Sequence, residues 1–177
     1  MNRLKYIEFI GVLFTILLGT ILHFTYKWSG DNQVVALFSP MNESIWEHLK
    51  MLFFPYMLYA ILEYVYIGRN YPNFITAKCF GVICGLVLIP FVCTLYTSIL
   101  GTSIVVVDII LFILAIILSY VISYYIMMKK TLKANSICIV VTIVITVVFF
   151  LFTLYPPNSS LFYDPISHSY GINERKS

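Results

Sequence analysis

The stretch Ser39-Pro40-Met41-Asn42-Glu43-Ser44-Ile45-Trp46-Glu47-His48-Leu49-Lys50 holds two carboxylates, an imidazole, an ammonium, an amide and two hydroxyls in twelve residues of a chain otherwise nearly free of charge. These are the groups of metal ligation and acid–base chemistry. Imidazole and carboxylate are the nitrogen and oxygen ligands of Zn²⁺ and related cations, and a further carboxylate can act as base toward a bound water. The stretch also reads as a helix start. Ser39 can cap with Pro40 in the first turn, Asn42 can cap with Glu43 following, and Ser44-x-x-Glu47 fits a capping box. A helix opening at Asn42 places Glu43, Glu47 and Lys50 on one face, with Ser44 and His48 as an i, i+4 pair beside it. Directly after comes Met51-Leu52-Phe53-Phe54-Pro55-Tyr56-Met57-Leu58, a run suited to lipid.

Three kinds of chemistry fit these residues. In a metal site, His23, His48 and Asp164 supply the ligands, with Asp108 or His168 as other donors. Glu43, Glu47 and Asp108 are then the candidate catalytic carboxylates. Asp108 stands out because carboxylates inside a membrane span mark functional sites. In an anion or head-group site, the free N–H groups and dipole of the helix start act with Asn42, Ser44 and Lys50 as ligand-binding groups. In the plainest reading the groups cap a helix and bond to one another across the bundle. Ser44 four residues before His48 lacks an evident oxyanion hole, so nucleophilic catalysis is poorly supported. No His-Glu-x-x-His, phosphate loop or dinucleotide fingerprint is present.

The elements that must hold these groups are read from hydropathy. The chain has 177 residues, 60% hydrophobic and 11% charged, with a mean hydropathy of +0.92. Soluble domains carry about a quarter charged residues, so the composition is that of an integral membrane protein whose first partner is the lipid bilayer. The excess runs through the whole length, which predicts one helical bundle over residues 1–177. A net charge of +3 is too small to suggest nucleic acid. Cys79, Cys84, Cys93 and Cys138 all fall in apolar runs, where thiols are small packing residues.

Five spans are expected, over residues 6–26, 42–67, 76–96, 104–128 and 134–154. The first, read as retained rather than cleaved, carries Gly11, Thr15, Gly19 and His23 at steps of four, a small-residue stripe for close helix approach. Glu63 lies about 22 Å along its helix from His48, too far to share a site, so Glu63 and Glu8 are expected to pair with basic residues near the other end. The remainder, 155–177, holds Pro156, Pro157 and Pro165 yet is rich in aromatic residues. It is expected to be an ordered, non-helical tail lying over the end of the bundle. Arg3, Lys5, Arg69, Lys78, Lys129, Lys130 and Lys133 fall in alternating connections, with Glu174-Arg175-Lys176 a minor dissent at the end. The positive-inside rule therefore sets the N-terminus inside and the C-terminus outside, and gathers His23, Asn42, Glu43, Glu47, His48, Asp108, Asp164 and His168 at the outer face.

Gly19-Thr20-Ile21-Leu22-His23-Phe24, the Ser39 to Lys50 motif, and the ending Pro156-Pro157, Leu161-Phe162, Asp164-Pro165 and Tyr170-Gly171-Ile172 resemble a family of small bacterial multi-spanning membrane proteins of unknown function. The likeness covers nearly the full length and implies a compact bundle acting as one unit, but no activity. Met41 and His168 depart from it, standing where valine and glycine are expected. The expectation is an all-α, five-span protein of the cell membrane with an outward-facing polar pocket. Its leading function is a metal-assisted hydrolase, with a divalent ion such as zinc, acting on a lipid or envelope substrate. The alternative is a non-enzymatic small transporter, which at this size would need to form homo-oligomers, or a membrane interaction or scaffold protein.

Overall fold

The computed structural model describes residues 2–129 and 132–171. Lys130, Ile172 and Glu174-Arg175-Lys176 of the sequence reading lie outside the described residues. The order of elements is α1 (Asn2–Trp28), a short α2 (Gln33–Ala36), α3 (Ile45–Tyr66), a 3-10 turn (Gly68–Asn70), α4 (Phe74–Leu100), α5 (Val105–Lys129), α6 (Asn135–Leu154), β1 (Tyr163–Asp164) and β2 (Ser169–Tyr170). The long helices follow the apolar runs because a backbone in an apolar setting must satisfy its own hydrogen bonds. Four of them, α1 (from Arg3), α4, α5 and α6, are long and apolar enough to cross a membrane. The β-branched run of α6 is helical, as its length demands. α3 is not among the four. Lys50, Glu63 and Tyr56, Tyr59, Tyr64 and Tyr66 lower its hydropathy.

That helix occupies the centre of the packing, against α1 on one side and α4 on the other, and α5 packs on both α4 and α1. Leu52, Phe53 and Tyr56 of α3 form the core with Val82 of α4, Ala115, Ile116 and Tyr120 of α5, and Phe149 of α6. Small residues set the closest approaches. A Cβ on Gly19 would meet the Met51 carbonyl of α3. On Gly81 or Gly85 of α4 it would meet Ser119 of α5, so the stripe on α1 is a contact seam as expected and α4 has one of its own. Outward-facing aliphatics such as Leu17, Val87, Val105, Ile109, Ile143 and Val144 are exposed, which is the surface a lipid phase would cover.

The tail folds back as the aromatics require. Its strands pair antiparallel, Tyr163 with Tyr170 and Asp164 with Ser169. The Trp46 backbone N–H donates to the Leu161 carbonyl at 3.0 Å, and the Trp46 ring lies 4.9 Å from both Phe149 and Phe162. All four cysteines are free thiols.

Three expectations need correction. The connection between the spans expected at 6–26 and 42–67 holds a helical turn: Asn32 caps α2 by accepting from the Val34 N–H at 2.8 Å. Pro40 is not in a first helical turn, because the helix opens at Ile45. Lys78 is not a loop charge. α4 begins at Phe74, so Lys78 is a turn inside it and buried, and it drops out of the charges that bear on orientation.

Candidate metal centre

Everything at this site follows from where α3 begins. Ser44 is the N-cap, its hydroxyl accepting from the Glu47 N–H at 3.3 Å. The capping box is only half formed, because the Ser44 N–H donates to Asn42 Oδ1 at 3.0 Å instead of to Glu47. Asn42 and Glu43 therefore precede the helix in a turn. Glu43 leaves the face of Glu47 and Lys50 and swings to that of His48.

His48 Nδ1 lies 2.9 Å from the Ser44 carbonyl. A carbonyl only accepts, so Nδ1 carries the proton and the Nε2 lone pair of the neutral ring points away from the helix. Nε2 is 3.3 Å from Glu43 Oε2. His23, one turn above Gly19 on α1, brings its Nε2 to 4.0 Å from Glu43 Oε1, and its ring lies 5.4 Å from that of His48. One ligand atom from each of the three residues falls within 4.8 Å of the others. Metal bonds of about 2.0–2.1 Å in tetrahedral array set ligand atoms about 3.3 Å apart. The His48–Glu43 pair already has that separation, and His23 Nε2 lies farther off, 4.0 Å from the other Glu43 oxygen. His23 Nδ1 is buried without a hydrogen-bond partner. Three protein ligands leave a fourth position free for water, the arrangement of catalytic rather than structural zinc sites.

Without a metal, the same geometry is an ion pair. With Nδ1 donating to Ser44, a hydrogen bond to Glu43 requires a second proton on Nε2, making His48 cationic. That hydrogen bond holds the Glu43 carboxyl below the usual carboxylate range, against the opposing effect of partial burial.

A cavity of about 100 Å³ adjoins the cluster, with Lys27, Asn42, Asp164 and Ser167 in its lining beside His23 and Glu43. The other candidates of the sequence reading sit elsewhere. Asp164 lines the cavity, but its Oδ1 accepts from the Ile166 N–H at 2.9 Å and its Oδ2 from the Ser167 hydroxyl at 2.5 Å, so it organises the hairpin turn. Glu47 and Lys50 form a buried pair at 2.7 Å. Glu47 Oε2 also accepts from the Met41 N–H at 3.1 Å, and Lys50 donates to the Ala36 carbonyl at 2.8 Å. Asp108 is held on α4 by the Tyr96 hydroxyl and the Cys93 thiol, and is not one of the three clustered groups. His168 Nδ1 is 2.7 Å from the Tyr163 hydroxyl on the hairpin.

The sequence reading set His23 beside His48 as ligands and gave Glu43 the part of a base; the structure places Glu43 between the two histidines. The sequence reading also left the partner of Glu8 and Glu63 unnamed. Lys78 Nζ fills that place, 2.8 Å from Glu8 and 2.6 Å from Glu63. The signal was available, since a lysine inside an apolar run requires a buried counter-ion.

Fold and site define a class: an all-helical chain with four helices suited to crossing a membrane, and with Glu47–Lys50 and Glu8–Glu63–Lys78 paired inside the bundle. A family model, "Family of unknown function (DUF6512)", matches residues 1–172, and the chain belongs to that family. This agrees with the resemblance to a family without assigned activity. No curated protein and no solved structure matches the chain.

Proposed function

We propose that the chain is a multi-pass protein of the cell membrane that binds a divalent cation such as zinc through His23, Glu43 and His48. The cation serves hydrolysis of a lipid or envelope substrate. The observation that carries this reading is the convergence of one ligand atom from each of these residues within 4.8 Å beside a cavity. In this reading α3 is the fifth span: its 22 residues reach about 33 Å, enough for a bilayer core of about 30 Å. The N-terminus is inside and the centre faces outward, supported by the basic residues Arg3, Lys5, Arg69, Lys129 and Lys133 in alternating connections. The zinc would polarise a scissile carbonyl or phosphoryl group and lower the pKa of a bound water. Lys27 and Asn42 in the cavity wall would hold the substrate's polar end. Glu47 has buried partners, so it supports the first turn of α3 instead of acting as base.

The test is turnover by protein stripped with a chelator, reloaded with zinc and assayed on ester- and phosphoester-linked lipid probes in mild detergent. Zinc-dependent hydrolysis, lost in His48→Ala, is expected. Zinc binding without turnover of any probe would contradict the hydrolase reading and leave the non-enzymatic alternative. The charged centre formed by Glu8, Glu63 and Lys78 is the one observation favouring a transporter.

A further inference from the structure

Glu8 of α1, Glu63 of α3 and Lys78 of α4 meet about 22 Å along α1 from His23, at 1.5 Å per residue. Lys78 Nζ lies 2.8 and 2.9 Å from the two oxygens of Glu8 and 2.6 Å from Glu63 Oε2. The three residues are only 4, 3 and 2% exposed. The ammonium also faces the rings of Tyr120, Phe74 and Tyr56 at 4.9, 5.5 and 5.6 Å. Around them, the Ser123 hydroxyl donates to Glu8 at 3.4 Å, the Tyr59 hydroxyl donates to the Ile7 carbonyl, and the Tyr120 hydroxyl bonds Thr15.

The charges do not balance. One ammonium faces two carboxylates, and no second cation of α1, α3, α4 or α5 is paired with them among the described residues. Net charge in an apolar interior is costly, and an oxygen left without a donor is costlier still. Glu63 Oε1 is such an oxygen, buried with no hydrogen-bond partner. A proton on one carboxyl group removes the imbalance and leaves Lys78 matched by the remaining carboxylate.

We propose that Glu8, Glu63 and Lys78 form a buried proton-binding site in which the two carboxyl groups together hold one proton at neutral pH. The site is separate from the metal centre and does not depend on it. A group that takes up one proton inside the bundle is what a proton-coupled step requires.

Infrared spectroscopy of protein carrying ¹³C-carboxyl glutamate, reconstituted in phosphatidylcholine liposomes at neutral pH, tests this. Wild type should show a label-sensitive carbonyl band of a protonated carboxylic acid. The band should vanish in Glu8→Gln and in Glu63→Gln, where the remaining glutamate pairs with Lys78 as a carboxylate, and should persist in Glu43→Gln. In Lys78→Met it should roughly double, because neither carboxylate keeps a counter-ion. This variant decides the matter if the glutamine variants fail to fold. No label-sensitive acid band in wild type, a band surviving both glutamine substitutions, or one unchanged in Lys78→Met would overturn the proposal.

Discussion

Glu43 shows how one residue's register decides the chemistry. Counted on a helix from Asn42, it belongs with Glu47 and Lys50. Placed in the turn before Ile45, it meets His48 at 3.3 Å and His23 at 4.0 Å. The motif was legible as a reactive cluster, and so was the pairing of His23 with His48. The placement of Glu43 was not, because the cap at Ser44 instead of Asn42 changes which face it occupies.

Two predictions follow at this scale. The Glu43 carboxyl titrates below its usual range, so its stabilising effect is present above the unfolded value of about 4.3 and is lost as pH falls through the lower folded value. Glu43→Gln should flatten the acid limb of the stability profile of metal-free protein in detergent, and an acid limb as steep as in wild type would contradict the pairing. Glu47→Ala should cost about 3–5 kcal/mol in unfolding experiments, since it strands the buried Lys50 ammonium. The fraction that remains folded should still bind zinc, which a catalytic or ligand role for Glu47 does not predict.

At the scale of elements, the contact of α1 with α3 brings the two histidines together. Gly19 sits one turn below His23 and against the Met51 carbonyl. Gly19→Val should cost about 1–3 kcal/mol by overpacking and should weaken zinc affinity, although the residue touches no ligand. Equal affinity in the folded variant would show that this seam does not set the His23–His48 distance. The seam was readable from the step-of-four glycines. The burial of Lys78 was readable too, since the span expected at 76–96 contains it, but counting it among the connecting charges hid its pairing with Glu8 and Glu63. On the hairpin, His168 has a φ of 55°, in the left-handed region that glycine adopts freely. This explains why glycine is expected there by resemblance. His168→Gly relieves that strain but loses the Tyr163 hydrogen bond, so unfolding stability should change by less than about 1 kcal/mol, with zinc binding intact.

For the whole molecule, hydropathy alone yielded the helical bundle and helix positions within a few residues, because long apolar runs have no other way to satisfy their backbone. It counted α3 with the other spans, whereas that helix is set apart by polar groups, among them Glu47, Lys50 and Glu63 buried inside the bundle. With the N-terminus inside and five spans, a C-terminal reporter active only in the cytoplasm should stay silent; activity would set the metal centre on the inner face. The proposed His23–Glu43–His48 centre is tested most directly by zinc content. Protein purified in mild detergent and supplied with zinc should hold close to one ion per chain. His23→Ala, Glu43→Gln and His48→Ala should each lose it while remaining folded, and Asp108→Asn should keep it. Wild type that takes up no zinc or other divalent ion, or variants that retain it, would contradict the account and leave the cluster as a His48–Glu43 ion pair between packed helices.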